Sequence, residues 1–170
     1  MTAPPTDDER YVVVDGRRWR ATDPAIPDAF RNELVHELMD ARRAIGTATR
    51  SGDDAGPARR RVGDAKVALG ERGEPWWEAP TTHGRHHRIA ATIRILLRSR
   101  KPESSICPSD VARAVGGQSW RSVMPVVRDV AAELATDGTI VVTQRDETVD
   151  VASARGPVRL RRGPAFPGQP

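Results

Sequence analysis

Five arginines and three small polar residues carry the chemistry most worth placing in this sequence. Arg121, Arg128, Arg145, Arg159 and Arg161 are permanent cations with planar, forked donors, suited to phosphate oxygens and base edges. Gln118, Ser119 and Ser122 precede or interleave with the first two, and amides and hydroxyls of this kind hydrogen-bond to base edges and phosphates. Arg121 and Arg128 are seven residues apart, two turns along one face if the segment is helical, and are expected to point outward. Arg159 and Arg161 alternate with Val158 and Leu160, which places them on the solvent side of a strand. Asp129 and Glu133 lie beside this face and would repel phosphate. The same arginines also fit a solvated face with a few ion pairs.

Other candidates are weaker. His83, His86 and His87 cluster, but without a nearby cysteine and in a segment of linker composition, so no metal site is expected. His36 is expected at the surface or its boundary. Cys107, the single cysteine, precludes an internal disulfide and has no matched His/Asp constellation, so a small buried residue is expected; a redox sensor is the alternative. Trp76-Trp77 beside Pro75 is expected to pack a small core, with an exposed docking motif as the alternative. Arg59, Arg60 and Arg61 fan around a helix and should pair with acids on its neighbour. The sequence holds no Gly-rich phosphate loop, no spaced metal ligands and no nucleophile elbow. An enzyme is therefore not expected, nor a cofactor.

The charge balance fits the arginine pattern. The 170 residues carry a net +4, but residues 1–85 hold 14 basic and 15 acidic residues, against 13 and 8 in residues 86–170. The positive half is the one with the candidate contacts. No apolar run approaches the roughly 18–20 residues of a membrane span, and the start "MTAPPTDDER" is not a secretory signal. These features lead to the expectation of a soluble cytoplasmic protein.

The elements that must position these residues follow from periodicity. Residues 1–9 are expected to form a disordered tail. "YVVVDGRRWRA" reads as a β-hairpin around Asp15-Gly16. Phe30, Leu34, Leu38, Ala41 and Ile45 form the stripe of a helix over about 28–45, and Val62, Ala65 and Leu69 that of a second helix over about 57–71. Together, 10–79 form a hairpin plus helical-hairpin module, and "APTTHGRHH" (80–87) is a linker. A second module covers 88–163. Ile89, Ile93, Leu96 and Leu97 mark its first helix, Ser105-Ile106 a short strand, and "PSDVARAV" a short helix. After the "GGQS" turn, Val123, Val127, Val130 and Leu134 mark a longer helix. Pro125 suits its first turn if regular helix starts near Ser122. "TIVVTQ" and "PVRLRR" then form a ribbon, and 164–170 a loose tail. The predicted class is mainly α with small β: a β-hairpin and helical hairpin followed by a winged helix-turn-helix, whose long helix could enter a major groove about 12 Å wide.

"ICPSDVARAVGG", "WRSVMPVVRDVAAEL" and "VTQRDETVDVASARGPVRLRRG" resemble the bacterial family known as domain of unknown function 3253, over about 88–163. The resemblance implies a winged-helix-like fold and no assigned activity. "YVVVDGRRWRATDPAIP" and "DAKVALGERGEPWWE" resemble small uncharacterised actinobacterial proteins, some of which carry the name biopolymer transporter Tol. The expectation that results is a regulatory protein binding double-stranded DNA, with 10–79 serving a homodimer or a protein partner. The alternative is a protein-interaction module that uses the winged helix as a scaffold.

Overall fold

The computed structural model describes residues 7–168. The expected N-terminal tail thus lies outside the described residues over 1–6, while Asp7–Arg10 form a short helix, α1. Strands β1 (Tyr11–Val14) and β2 (Arg17–Arg20) pair antiparallel, Val12 opposite Trp19 and Val14 opposite Arg17. Asp15 and Gly16 both have positive φ (49° and 73°), the conformation that a two-residue hairpin turn demands. Helices α2 (Asp28–Ser51) and α3 (Gly56–Ala68) follow. Leu34, Leu38, Ala41 and Ala65 are buried on the faces that the periodicity marks.

Helix α4 runs from Thr82 to Ser99, so the expected linker is already helical from its third residue. The cause is local capping. The Thr81 side chain accepts from the Gly84 amide at 3.0 Å, and Glu74 accepts from the Thr81 amide at 2.9 Å. The expected break between modules is also absent from the core. Ile26, Leu34, Leu38, Ala65 and Leu69 join Ile89, Ile93, Leu96, Val111, Val127 and Leu160 in one apolar cluster. Three arginines reinforce the join. Arg88 meets Asp23 at 2.7 Å, Arg94 grips both oxygens of Asp64 at 2.8 Å, and Arg100 meets Glu33 at 3.1 Å. Arg61 pairs with Glu37 at 2.7 Å as the charge pattern suggests, with Arg98 3.7 Å away. Burial pushes the Glu37 carboxyl above its ordinary range, and the two arginines oppose that shift.

The remaining chain is α5 (Pro108–Gly116), a 3-10 turn (Gly117–Ser119), α6 (Trp120–Thr136), and strands β3 (Ile140–Gln144), β4 (Glu147–Thr148) and β5 (Arg159–Arg162). The sheet order is β4-β3-β5, antiparallel, and Ile106 bridges to Leu160 on the outer edge of β5. Val123, Val127, Val130 and Leu134 of α6 are buried as expected. The helix starts two residues earlier than Pro125 led us to expect. Pro125 and Arg121 both lie on the exposed face, so the Arg121 carbonyl, which loses its helical donor to the proline, can be hydrated instead.

The C-terminal segment is not loose up to residue 168; residues 169–170 lie outside the described residues. Phe166 is buried, with the Arg98 and Arg162 guanidinium groups each 5.1 Å from its ring centre. The Ala165 amide donates to Gly138 at 3.0 Å, and Arg98 donates to the Pro167 carbonyl. One buried aromatic ring in contact with two cations anchors a segment that composition alone marks as flexible.

Candidate nucleic-acid interface

Helix α5 starts at a capped end. The Cys107 amide donates to Asp110 at 3.2 Å, and the Ser109 hydroxyl to Cys107 Sγ at 3.0 Å. Cys107 is therefore a half-buried capping residue instead of the fully buried one expected. The helix buries Val111, Ala112 and Ala114 and turns Arg113 outward. The chain then reverses through Gly117, whose φ of 51° and ψ of −126° suit only glycine. A Cβ there would lie 2.9 Å from the Ala25 carbonyl oxygen, so the reversal is seated directly against the N-terminal half.

At this corner Trp120 is half-buried with two guanidinium groups against its ring: Arg113 lies 4.7 Å and Arg121 4.5 Å from its centre. The indole thus fixes two cations in place with their outer donors free. Gln118, Ser119, Arg121 and Ser122 are all exposed around it, so four of the eight sequence-derived candidates come together here. Ser119 and Ser122 also edge a groove of about 930 Å³ whose far wall includes Trp76, Trp77 and Arg85.

The other four candidates separate. Arg128 does not point outward. Its Nη2 donates to the carbonyls of Val151 (2.9 Å) and Ala154 (2.6 Å), holding the β4–β5 loop against α6. Two buried-side carbonyls outcompete solvent for a long side chain whose stem lies along the helix. Arg145 sits exposed at the β3–β4 turn, where it and Asp146 both have positive φ. Arg159 is exposed and donates to Ser105 Oγ at 2.9 Å. Arg161 is partly neutralised by Asp146 at 3.1 Å and donates to the Glu103 carbonyl at 3.0 Å.

The basic surplus of the second half is therefore partly consumed internally. Arg88, Arg94, Arg98 and Arg100 face acids of the first half, and Arg162 donates to carbonyls of Leu97, Arg98 and Arg100. Two exposed cations that sequence reasoning passed over join the candidates: Arg113 on α5 and Arg155 in the β4–β5 loop. Arg113 was legible, as the one charged residue of "VARAV". The Arg155 carbonyl accepts from Gln144 Nε2 at 2.7 Å, which fixes the loop that carries it.

Trp76 and Trp77 pack as expected, edge to face with ring centres 5.2 Å apart, and the Trp76 indole donates to the Ala21 carbonyl at 3.0 Å. His86 lies 3.6 Å from Glu133, His36 3.3 Å from Asp40, and His83 stacks on His87. No group of three or more His, Cys, Asp or Glu among the described residues is arranged to hold a metal ion. No helix of the described residues is long and apolar enough to cross a membrane.

Residues 86–163 match the model of a family described as protein of unknown function (DUF3253). That segment runs from the first turns of α4 through the end of β5, and so contains the Arg113–Trp120–Arg121 corner and the whole three-stranded sheet. No curated protein matches the chain.

Proposed function

We propose that the chain is a non-enzymatic, winged-helix, DNA-binding protein that inserts the start of α6 into the major groove. The observation that carries this reading is the Arg113–Trp120–Arg121 stack at the helix-turn-helix corner, flanked by Gln118, Ser119 and Ser122. The order of elements supports it: α4, a bridge at Ile106, α5, α6, then β3 and β5 with the bridge closing on β5. A winged helix reads DNA with the N-terminal residues of its third helix and holds flanking phosphates with its ribbon. Arg145, Arg155 and Arg159 fill the ribbon role here.

The test compares binding to a roughly 20-base-pair duplex by the wild-type chain and by Arg113→Ala/Arg121→Ala. Each lost phosphate contact should reduce the salt slope by about one. An unchanged slope in the double variant would remove the corner from the interface.

A second reading, docking to a protein, draws on one specific observation. The exposed stripe of α6 carries Asp129 and Glu133 beyond Arg121, and carboxylates facing a phosphate backbone are repelled. Absence of duplex binding at low salt would favour this second reading.

A further inference from the structure

Four of the five large apolar side chains most exposed among the described residues belong to one eight-residue ribbon: Val12 (47%), Val13 (68%), Val14 (53%) and Trp19 (44%). Among the described residues the ribbon has two strands only, so β1 and β2 each keep an edge that no other strand pairs. Register places Val12, Val14, Arg17 and Trp19 on one face. That face borders a cleft of about 560 Å³, whose opposite wall bears Arg42 of α2 and Lys66 of α3.

The cleft is apolar and cationic at once. Lys66 lies 5.0 Å and Arg17 5.9 Å from the Trp19 ring centre. Of the two carboxylates present, Glu71 accepts from the Thr22 hydroxyl at 2.8 Å and Asp15 belongs to the turn. Burial lowers the Lys66 ammonium below its ordinary value, and repulsion from Arg42 and Arg72 adds to that. Glu71 opposes that shift only in part, and the cleft lining holds more cations than carboxylates.

We propose that the β1 edge and this cleft bind an extended acidic segment of a partner protein, which adds as a third strand. Its aliphatic side chains would rest on Val12, Val14 and Trp19, and its carboxylates would meet Arg17, Arg42 and Lys66. Single-stranded nucleic acid fits less well. Stacking of successive bases needs successive ring platforms, and among the described residues Trp19 is the one aromatic side chain in the lining of this cleft. A second copy also fits poorly, because the Tyr11–Val14 strand it would add at this edge has no carboxylate to meet Arg17, Arg42 and Lys66.

The experiment titrates the full chain into a fluorescently labelled (Glu-Val)4 peptide, with (Lys-Val)4 as its counterpart, and follows anisotropy. Sedimentation of the protein alone runs alongside. The expected result is binding of the acidic peptide only, weakened about tenfold or more by Trp19→Ala, the usual range for an aromatic anchor. Arg42→Glu, on the exposed face of α2, should weaken it similarly without lowering the melting temperature. Equal binding of both peptides, affinity that is insensitive to both substitutions, or a hairpin-dependent dimer that excludes the peptide would each overturn the proposal. None of these outcomes depends on whether the chain binds DNA.

Discussion

Arg128 separates what the helical spacing suggests from what the packing does. If it were a phosphate contact, Arg128→Ala would reduce the salt slope of DNA binding by about one and leave stability alone. In the structure its guanidinium instead donates to two loop carbonyls, at 2.9 Å and 2.6 Å. A hydrogen bond to a charged group contributes roughly 1.5–3 kcal/mol net. Both bonds come from the single Nη2 nitrogen and are counted as one such interaction, about 2 kcal/mol in all. For a chain of this size 1 kcal/mol shifts Tm by about 2–4 °C, which gives a loss of about 4–8 °C. Thermal unfolding by circular dichroism reads the loss, and salt-dependent anisotropy reads the slope. A variant with unchanged Tm and a slope reduced by about one would refute the reasoning. It would put Arg128 back among the phosphate contacts.

Two further substitutions probe how the corner and the C-terminal segment are held. Gly117→Ala should cost about 2–3 kcal/mol in a denaturant titration, because it combines a glycine-only conformation with a Cβ 2.9 Å from the Ala25 carbonyl. Gly16→Ala, at positive φ with no atom within 4 Å of the added carbon, should cost visibly less. Equal costs would show that the contact with the N-terminal half adds nothing. Phe166→Ala should lower stability by about 3 kcal/mol, near the bottom of the range for deleting a buried aromatic, since its ring meets two cations as well as the core. A Tm within about 2 °C of wild type would show the segment to be dispensable.

Much of the fold was legible because it rests on period and turn chemistry. The stripes at Leu34 and Leu38, at Ile89 and Ile93 and at Val123 and Val127 are all buried, and Asp15-Gly16 forms its turn. What escaped depends on partners outside the segment whose composition was read. Glu74 completes the cap that starts α4 at Thr82, so a segment of linker composition is helix. Phe166 is anchored by the core and by Arg98 and Arg162, which reach its ring. The charge surplus of the second half looked like one surface, yet Arg88, Arg94 and Arg100 meet acids 65, 30 and 67 residues away. The site was half legible for the same reason. Gln118, Ser119, Arg121 and Ser122 are neighbours along the chain and stay together in space. Arg113 joins them only through the indole of Trp120.

The measurement closest to the central claim is the affinity of the wild-type chain for random-sequence duplex DNA between 50 and 200 mM salt. Arg113, Arg121, Arg145, Arg155 and Arg159 are the exposed arginines of residues 86–163. Five phosphate contacts give a slope of about −4.5, a loss of roughly five hundredfold over that range. A slope near that value is the expected result. Absence of binding at 50 mM salt, or an affinity indifferent to salt, would contradict DNA binding and leave the corner as a protein-docking surface.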